Sequence, residues 1–288
     1  MIIPSHILRA ALDRADRARY YHWCADISLA GEDYKVSEVV CFAENADDPL
    51  SGFAQVKKYD ASFLLILLYA DDDALLCECM DYVDTVIRDF SEVEVRTPYP
   101  HLLASGRITS RYTVTLPEDQ PNPVYYIHTQ EELTCLPMED GIPTEDGILQ
   151  EDCVTVSLFR EEDKADIAQA VQNGALDAEY MNAEMFVPCT VFRDVKWYIL
   201  RVNGEPVGYL RAECGYENIY DIGWLYVEPR FRGHGYAPQL VSAFSHDMFA
   251  GGCIPHYGYA ISDASARVAE KCGFVCDRRP VCRCLTPR

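Results

Sequence analysis

The sequence predicts an α/β (α+β) fold: a mixed, mostly antiparallel sheet flanked by helices, preceded by a second, smaller α/β domain. Three observations predict it. The 288 residues exceed one small domain and suggest about two domains of roughly 100–200 residues. Strand-like and helix-like segments alternate in both halves. The second half contains a hairpin, marked by Asn203-Gly204, and later a strand–helix–strand segment.

Composition excludes several classes of protein. Hydrophobic residues make up 49% and charged residues 25% of the chain, which is a globular balance and not that of a disordered chain. The longest apolar stretch, residues 63–70, is far shorter than the roughly 18 residues of a membrane helix. The first 21 residues contain four arginines and no apolar signal segment, so we expect a cytoplasmic protein that does not bind membranes.

The acidic excess bears on the possible ligands. The formal net charge is −21, and a field of that sign repels nucleic acid. The excess is concentrated in residues 1–150, with 27 acids against 11 Lys and Arg, whereas residues 151–288 have 19 acids against 14. The second half is therefore the part of the chain that could tolerate an anionic ligand, and the acidic excess itself favours solubility.

The thirteen cysteines lie mostly in apolar runs, which is typical of packed free thiols in a cytoplasmic protein. Cys272, Cys276, Cys282 and Cys284 near the C-terminus contain no C-x-x-C pair. We therefore expect core thiols there and no metal site.

The first predicted domain spans residues 1–117. Its apolar run at 62–69 favours a central strand, and Asp71, Asp72 and Asp73 suit the start of the helix that follows. The other predicted elements are helices at 5–20, 71–90 and 101–104, and strands at 36–42, 52–57, 93–96 and 112–116.

Residues 117–152 contain five prolines, and their acidic residues are not matched by basic ones. This composition favours a linker at 118–152 that contains one strand at 124–128. The second domain then spans residues 153–288. Its predicted strands are 154–158, 197–201, 206–212, 219–227, 254–261 and a final pair within 274–285, and its predicted helices are 161–173, 177–186, 236–249 and 264–271.

The most informative segment is residues 224–237, where a strand, a short loop and a helix follow one another. Pro229 ends the strand, and Gly233 and Gly235 allow a tight loop whose N–H groups converge. A helix starts directly afterwards with Pro238 in its first turn. Arg230, Arg232 and His234 add positive charge, and such a helix N-terminus is a ready anion site.

The loop fits neither of two common phosphate motifs. No Gly-x-x-x-x-Gly-Lys-Ser/Thr run occurs, and Pro238 stands where a dinucleotide fingerprint has its third glycine. The run Arg230-x-x-Gly233-x-Gly235 instead resembles the pyrophosphate loop of the GCN5-related N-acetyltransferases (GNAT superfamily). The helix 264–271, which ends in Lys271-x-Gly273-Phe274, resembles that family's second signature. The resemblance covers residues 154–288.

The resemblance implies acetyl-CoA as cosubstrate, bound where the fourth and fifth strands of the second domain separate. Its pantetheine arm would pair with the fourth strand, its pyrophosphate would lie on the loop N–H groups, and a strand N–H near Val227 would polarise the thioester carbonyl. The implied cofactor-binding residues are Leu225, Tyr226, Val227, Arg230, Arg232, Gly233, His234, Gly235, Tyr236, Ala237 and Ser262.

The resemblance also suggests catalytic residues. Asp221, six residues before Val227, stands where family members with a carboxylate base have it, with Glu213 as the next candidate. The chain departs from the family at Ser262, where Asn is common, and at Ala269, where the thiolate-protonating tyrosine would stand. Tyr257 or Tyr259 is the candidate replacement for that tyrosine.

The first half shows the same order of elements without the glycine loop. Asp71, Asp72 and Asp73 occupy the loop position, and three carboxylates repel a pyrophosphate. This half is therefore either a degenerate GNAT-like domain that does not bind CoA or an unrelated α/β domain.

Two functions from different classes fit the sequence. One is an acetyl-CoA-dependent N-acetyltransferase that acts by direct attack of a primary amine, either a small molecule or a peptide. The other is a non-catalytic acyl-CoA-binding module, which the missing tyrosine favours. The sequence identifies neither the acceptor nor the oligomeric state.

Overall fold

A computed structural model describes residues 1–21, 23–24, 27, 36–59, 63–116, 123–134, 153–174, 176–177, 179, 181, 186, 194–258, 260–276 and 281–288. The chain divides into two compact units: unit 1 is Met1–Pro123 with Arg278–Arg288, and unit 2 is Val124–Asp277. Among the described residues, every helix is too short or too polar to cross a bilayer.

Unit 1 contains a seven-stranded sheet of mixed direction. The strands are β1 (Ile2–Ile3), β2 (Val36–Ala43), β3 (Phe53–Tyr59), β4 (Phe63–Tyr69), β5 (Glu92–Thr97), β6 (Tyr112–Thr115) and, from the end of the chain, β14 (Val281–Pro287). Their order in the sheet is β1-β2-β3-β4-β5-β14-β6. Among these described strands, β4 and β5 are parallel neighbours and the other pairs are antiparallel. The helices are α1 (Ser5–Arg14), α2 (Asp73–Val86) and α3 (Gly106–Thr109), with 3₁₀ turns at Ile87–Asp89 and Pro100–Ala104.

Two of the three consecutive aspartates lie at the start of α2, as the sequence predicts. The Asp72 side chain accepts a hydrogen bond of 2.8 Å from the N–H of Ala74, and Asp73 lies in the first turn. Both carboxylates satisfy the positive end of the helix. Leu75, Leu76 and Met80 of α2 are buried in one hydrophobic core with residues of β3 and β4. This helix terminus is therefore occupied by the chain's own anions.

Unit 2 contains a second seven-stranded sheet. Its strands are β7 (Tyr125–Tyr126), β8 (Val154–Leu158), β9 (Val195–Val202), β10 (Glu205–Tyr216), β11 (Ile219–Val227), β12 (Ile254–Tyr257) and β13 (Val275–Cys276). Their order in the sheet is β13-β7-β12-β11-β10-β9-β8. Its helices are α4 (Asp163–Gln172), α5 (Tyr236–Ala250) and α6 (Asp263–Lys271), with 3₁₀ turns at Gln130–Glu132 and Pro229–Phe231. The core between this sheet and α5 and α6 centres on Leu240, Phe244 and Ala269.

The two sheets have the same order of strand directions. Among the described strands of unit 2, β11 and β12 are the one parallel pair, and they occupy the places of β4 and β5 in unit 1. The next place in the sheet is filled in unit 1 by β14, the last strand of the chain, and in unit 2 by β7, which precedes the other strands of that unit in sequence. The predicted fold class is confirmed, and the first half repeats the order of strand directions of the second.

The unit boundaries differ from the predicted ones. The sequence predicts that residues 124–128 belong to a linker at 118–152 and not to the second domain. In the structure this segment contains β7, which pairs with β12 and β13 of unit 2. The sequence also assigned 281–285 to the second domain, but β14 pairs with β5 and β6 of unit 1. Alternating apolar residues predict a strand without naming its partners, so a chain segment that returns to an earlier sheet is invisible in the pattern.

Smaller elements differ by a few residues. The first helix ends at Arg14 and not at 20, and the strand predicted to reach 261 ends at Tyr257. Most of the helix predicted at 177–186 lies outside the described residues. Eleven described cysteines are free thiols; Cys282 and Cys284 lie in β14, and Cys272 and Cys276 lie in unit 2.

The position of β14 predicts that the end of the chain stabilises unit 1. Leu285 is 3% exposed and packs in the unit 1 core, so Leu285→Ala should lower the free energy of unfolding by about 2–4 kcal/mol. Thr286→Ala, at an exposed position of the same strand, should change it by less than about 0.5 kcal/mol. Urea denaturation measures both, and equal stabilities for the two variants would contradict the assignment of β14.

Candidate active site

A cleft forms in unit 2 where two parallel strands separate. The ladder between β11 and β12 has three pairs, from Ile219↔Ile254 to Asp221↔His256. Strand β11 continues to Val227, whereas β12 ends at Tyr257. Residues 222–227 thus extend beyond the last pair with β12, and their chain leads through a loop into α5. A ligand able to pair with a strand edge has a surface there.

The loop before α5 has the conformation that its glycines permit. Gly233 has φ of 86° and Gly235 has φ of 84°, both in the left-handed region. No heavy atom lies within 4 Å of the point where either glycine would carry a Cβ, so the space beside the loop is open. The first N–H groups of a helix have no intrahelical acceptor, and Pro238 in the first turn has no N–H group at all. The loop and the start of α5 thus form an open cradle of backbone donors.

Positive side chains surround this cradle. Arg232 donates a hydrogen bond of 2.8 Å from Nε to the Val227 carbonyl, which ties the loop to the end of β11. Arg230 forms an exposed ion pair of 2.7 Å with Glu205. The His234 ring stacks on Tyr236 with centroids 5.6 Å apart. The predicted loop residues are therefore contiguous around one exposed helix terminus, and their donors and charge fit a diphosphate.

Three titratable residues form a row across the strands at the point of separation. Glu213 on β10 is the register partner of Asp221 on β11, and Asp221 is the partner of His256 on β12. Register partners share a face of the sheet, so the three side chains lie side by side. This row combines two carboxylates and an imidazole beside the cleft.

Asp221 is held from the β12 side. Its Oδ1 accepts a hydrogen bond of 2.6 Å from the N–H of Gly258 and lies 2.9 Å from His256 Nδ1. A Cβ at Gly258 would come within 2.3 Å of Asp221 Oδ2, so the carboxylate packs directly against that glycine. Asp221 and His256 are both buried.

Glu213 lies on the other side of Asp221, against a bulge in β11. Arg211 pairs with Trp224 and Ala212 pairs with Ile222, which leaves Gly223 as an extra residue. A Cβ at Gly223 would come within 2.8 Å of Glu213 Cδ, so the carboxyl group covers the bulge. Arg211 forms an ion pair of 2.5 Å with Glu213. Burial raises the pKa of Glu213, the Arg211 charge opposes this rise, and the Asp221 charge adds to it.

The other predicted site residues take distinct positions. Tyr257 is buried, its hydroxyl lies 2.7 Å from Ser265 Oγ, and burial raises its pKa to about 12. Ser262 caps α6 by accepting a hydrogen bond of 3.1 Å from the Ser265 N–H. Ala269 is fully buried in the core. Tyr259 lies outside the described residues. Leu225 and Tyr226 precede Val227 at the end of β11.

Sequence reasoning missed the three residues that fix the carboxylates: Gly223, His256 and Gly258. One signal was available for His256, because Asp221 and His256 are each the third residue of two strands predicted as neighbours. The bulge had a weaker signal in Gly223, a glycine inside a strand pattern.

The strand before α2 in unit 1 has different chemistry. The third residue of β4 is Leu65, whereas the third residue of β11 is Asp221. Leu65 pairs with Lys57 on β3 and with Glu94 on β5. In the part of unit 1 that the structure describes, Asp72 and Asp73 stand at the start of α2, whereas in unit 2 the glycine loop precedes α5.

Comparison with known proteins agrees with this geometry. Residues 165–274 match the model of the acetyltransferase (GNAT) family. No curated protein matches the chain.

Solved structures resemble the chain at low identity. A Drosophila protein is 13% identical with a TM-score of 0.52, covering 99% of this chain and 97% of that one. A GNAT-family acetyltransferase from Colwellia psychrerythraea is 12% identical with a TM-score of 0.48, covering 100% and 99%. A tandem GNAT protein from the clavulanic acid biosynthesis pathway is 12% identical with a TM-score of 0.48, covering 98% and 93%. The Drosophila structure shows that the fold of the whole chain recurs.

The packing of Asp221 predicts a strict requirement for glycine at 258. Gly258→Ala would push a methyl group into the Asp221 carboxylate, so it should destabilise the protein by about 1–3 kcal/mol in urea denaturation. Gly251→Ala is the control, because its Cβ would meet backbone oxygens only at 3.4 and 3.5 Å. If Gly258→Ala were as stable as this control, the described anchoring of Asp221 would be incorrect.

Proposed function

We propose that the protein is an acetyl-CoA-dependent N-acetyltransferase that moves an acetyl group to a primary amine by direct attack, because residues 165–274 match the GNAT acetyltransferase family model. The observation that carries this proposal is the open cradle formed by the glycine loop and the start of α5 at 233–237, next to the separated strands β11 and β12. An acyl-CoA presents a diphosphate and an amide-containing arm, and the cleft offers a partner for each.

In this proposal, the loop and the start of α5 bind the pyrophosphate through the N–H groups of residues 233–237, with the side chains of Arg230 and Arg232 adding charge and the His234 ring beside them. Residues 225–227 pair with the pantetheine arm through their backbone. The glycines at 233 and 235 leave the space that the phosphates need. Unit 1 offers carboxylates at the equivalent helix terminus, so a single cofactor site is proposed.

Bound acetyl-CoA supplies the thioester, whose carbonyl carbon forms the new C–N bond while the C–S bond breaks and its electron pair leaves on sulfur. The acceptor reaches the cleft as an ammonium ion and must lose one proton before its nitrogen can attack. Glu213 and Asp221 are the carboxylates beside the cleft that can take this proton. A β11 N–H near Val227 polarises the carbonyl oxygen. The second proton lost from nitrogen balances the one gained by sulfur, so each turnover releases one proton.

Tyr257 is the proposed donor of the proton to sulfur. The hydroxyl keeps its proton throughout the neutral range because burial raises the pKa of Tyr257 to about 12. Ser265 Oγ, 2.7 Å away, fixes the hydroxyl. This residue lies on β12, on the opposite side of the strand separation from Val227.

A panel of amines tests the function directly. Peptide N-termini, polyamines, aminoglycosides and amino acids would be incubated with acetyl-CoA, and thiol release would be followed together with the mass of each amine. The proposal expects at least one amine to gain one acetyl group. Saturable acetyl-CoA binding without turnover of any amine would instead support a non-catalytic acyl-CoA-binding module.

The glycine loop gives a test of cofactor binding alone. Gly235→Val fills the open space beside the loop and should abolish measurable acetyl-CoA binding in calorimetry. Gly252→Val is the matched control, because Gly252 also has a positive φ and open space but follows the opposite end of α5. Both variants carry a backbone strain of roughly 1–3 kcal/mol. Wild-type affinity in Gly235→Val would refute the proposed cofactor site.

Removal of one hydroxyl tests the proton donor. Tyr257→Phe should lower kcat about tenfold or more and leave the affinity for acetyl-CoA unchanged. Tyr125→Phe is the control, since this neighbouring buried tyrosine donates to Glu270 at 3.0 Å. Steady-state kinetics with an identified acceptor distinguishes them, and an unchanged kcat in Tyr257→Phe would exclude it as the donor.

A further inference from the structure

The two carboxylates of the row differ in what they face. The Asp221 carboxylate is directed to β12: Oδ1 accepts from the Gly258 N–H, and Oδ2 packs on the same glycine. The Glu213 carboxylate covers Gly223, the bulged residue in the part of β11 that lies beyond its pairing with β12. Gly223 and Trp224 are exposed, with Trp224 51% exposed. Of the pair, Glu213 is therefore the carboxylate next to the open part of β11.

We propose that Glu213 takes the proton from the acceptor amine, and that Asp221 is a positioning residue that sets the electrostatics of Glu213. This inference rests on the proposed function and assigns different roles to the two carboxylates. The proton leaves the ammonium nitrogen for a Glu213 carboxylate oxygen, which leaves a neutral amine and a neutral carboxylic acid. Glu213 then returns this proton to solvent before the next turnover.

The charges around Glu213 suit this role. Arg211 on the same strand forms an ion pair with it at 2.5 Å, and Asp221 on β11 opposes it directly. His256 on β12 lies on the far side of Asp221, and β9 presents the uncharged Val195 in register with Glu213. Because burial and Asp221 raise the pKa of Glu213, this carboxylate is a stronger base than an exposed glutamate. Asp221 has no comparable freedom, since its Oδ1 is held by His256 on β12 and by the N–H of Gly258 just after this strand.

The sign of the pH dependence follows from these neighbours. A general base works only when deprotonated, so activity should fall as the pH drops through the pKa of Glu213. Asp221→Asn removes a charge that raises this pKa, and the acid limb of kcat/KM should move to lower pH. Arg211→Gln removes a charge that lowers it, and the limb should move to higher pH. A purely structural role for either residue predicts no such opposed shifts.

The test compares the full-length variants Glu213→Gln, Asp221→Asn and Arg211→Gln with the exposed control Glu162→Gln. We expect Glu213→Gln to lose roughly 10²–10⁴-fold in kcat/KM at neutral pH with unchanged acetyl-CoA affinity, and Asp221→Asn to stay within about tenfold of wild type. The reverse order, with Asp221→Asn inactive and Glu213→Gln active, would overturn the proposal.

A readout independent of turnover accompanies the kinetics. The ¹³C resonance of the Glu213 carboxyl carbon, assigned by its absence in Glu213→Gln, would be titrated in wild type and in the variants. Its midpoint should fall in Asp221→Asn and rise in Arg211→Gln; unchanged midpoints in both would contradict the coupling. A wild-type protein that binds acetyl-CoA but turns over no amine would contradict the proposed function. An active wild-type protein together with an equally active Glu213→Gln variant would contradict only the role proposed for Glu213.

Discussion

The separation of β11 from β12 after only three residue pairs is the constraint on which the candidate site depends. Parallel strands joined through a helix normally continue side by side, and their backbone groups satisfy one another. Here the register ends at Asp221 and His256, and the bulge at Gly223 follows two residues later. The remaining residues of β11 carry the chain to the glycine loop and the start of α5. One local departure from regular pairing thus creates the strand edge and leads into the anion cradle.

The charge distribution complements this geometry. A chain of net charge −21 concentrates Arg230, Arg232 and His234 around one helix terminus. Unit 1 has the same order of strand directions, but its equivalent helix terminus is capped by Asp72. The third residue of β4 is Leu65, whereas the third residue of β11 is Asp221. The two units therefore share a backbone plan and differ in the side chains that would hold an anion or move a proton.

Much of this was predictable from the sequence because the decisive features are local. The loop at 232–235 follows from its glycines and from Pro229 and Pro238, and the strand of β11 was predicted with its observed bounds. Features that depend on distant pairing were not predictable. The return of β14 to the first sheet, the place of β7 in the second, and the contact of Asp221 with Gly258 join segments whose patterns carry no mark of their partner. Which of Glu213 and Asp221 faces the open part of β11 depends on the bulge at Gly223. A bulge shifts the following side chains by one residue, and its position depends on how the two strands pair.

The central claim is that a single acyl-CoA binds at the glycine loop of unit 2. Amide chemical shifts of ¹⁵N-labelled protein titrated with coenzyme A test it most directly, because the two equivalent helix termini report separately. The account predicts saturable shifts at Gly233, Gly235, Tyr236 and Ala237 and at the end of β11, with Asp72, Asp73 and Ala74 unchanged. Saturable shifts at the start of α2, or none at the glycine loop at saturating coenzyme A, would contradict it.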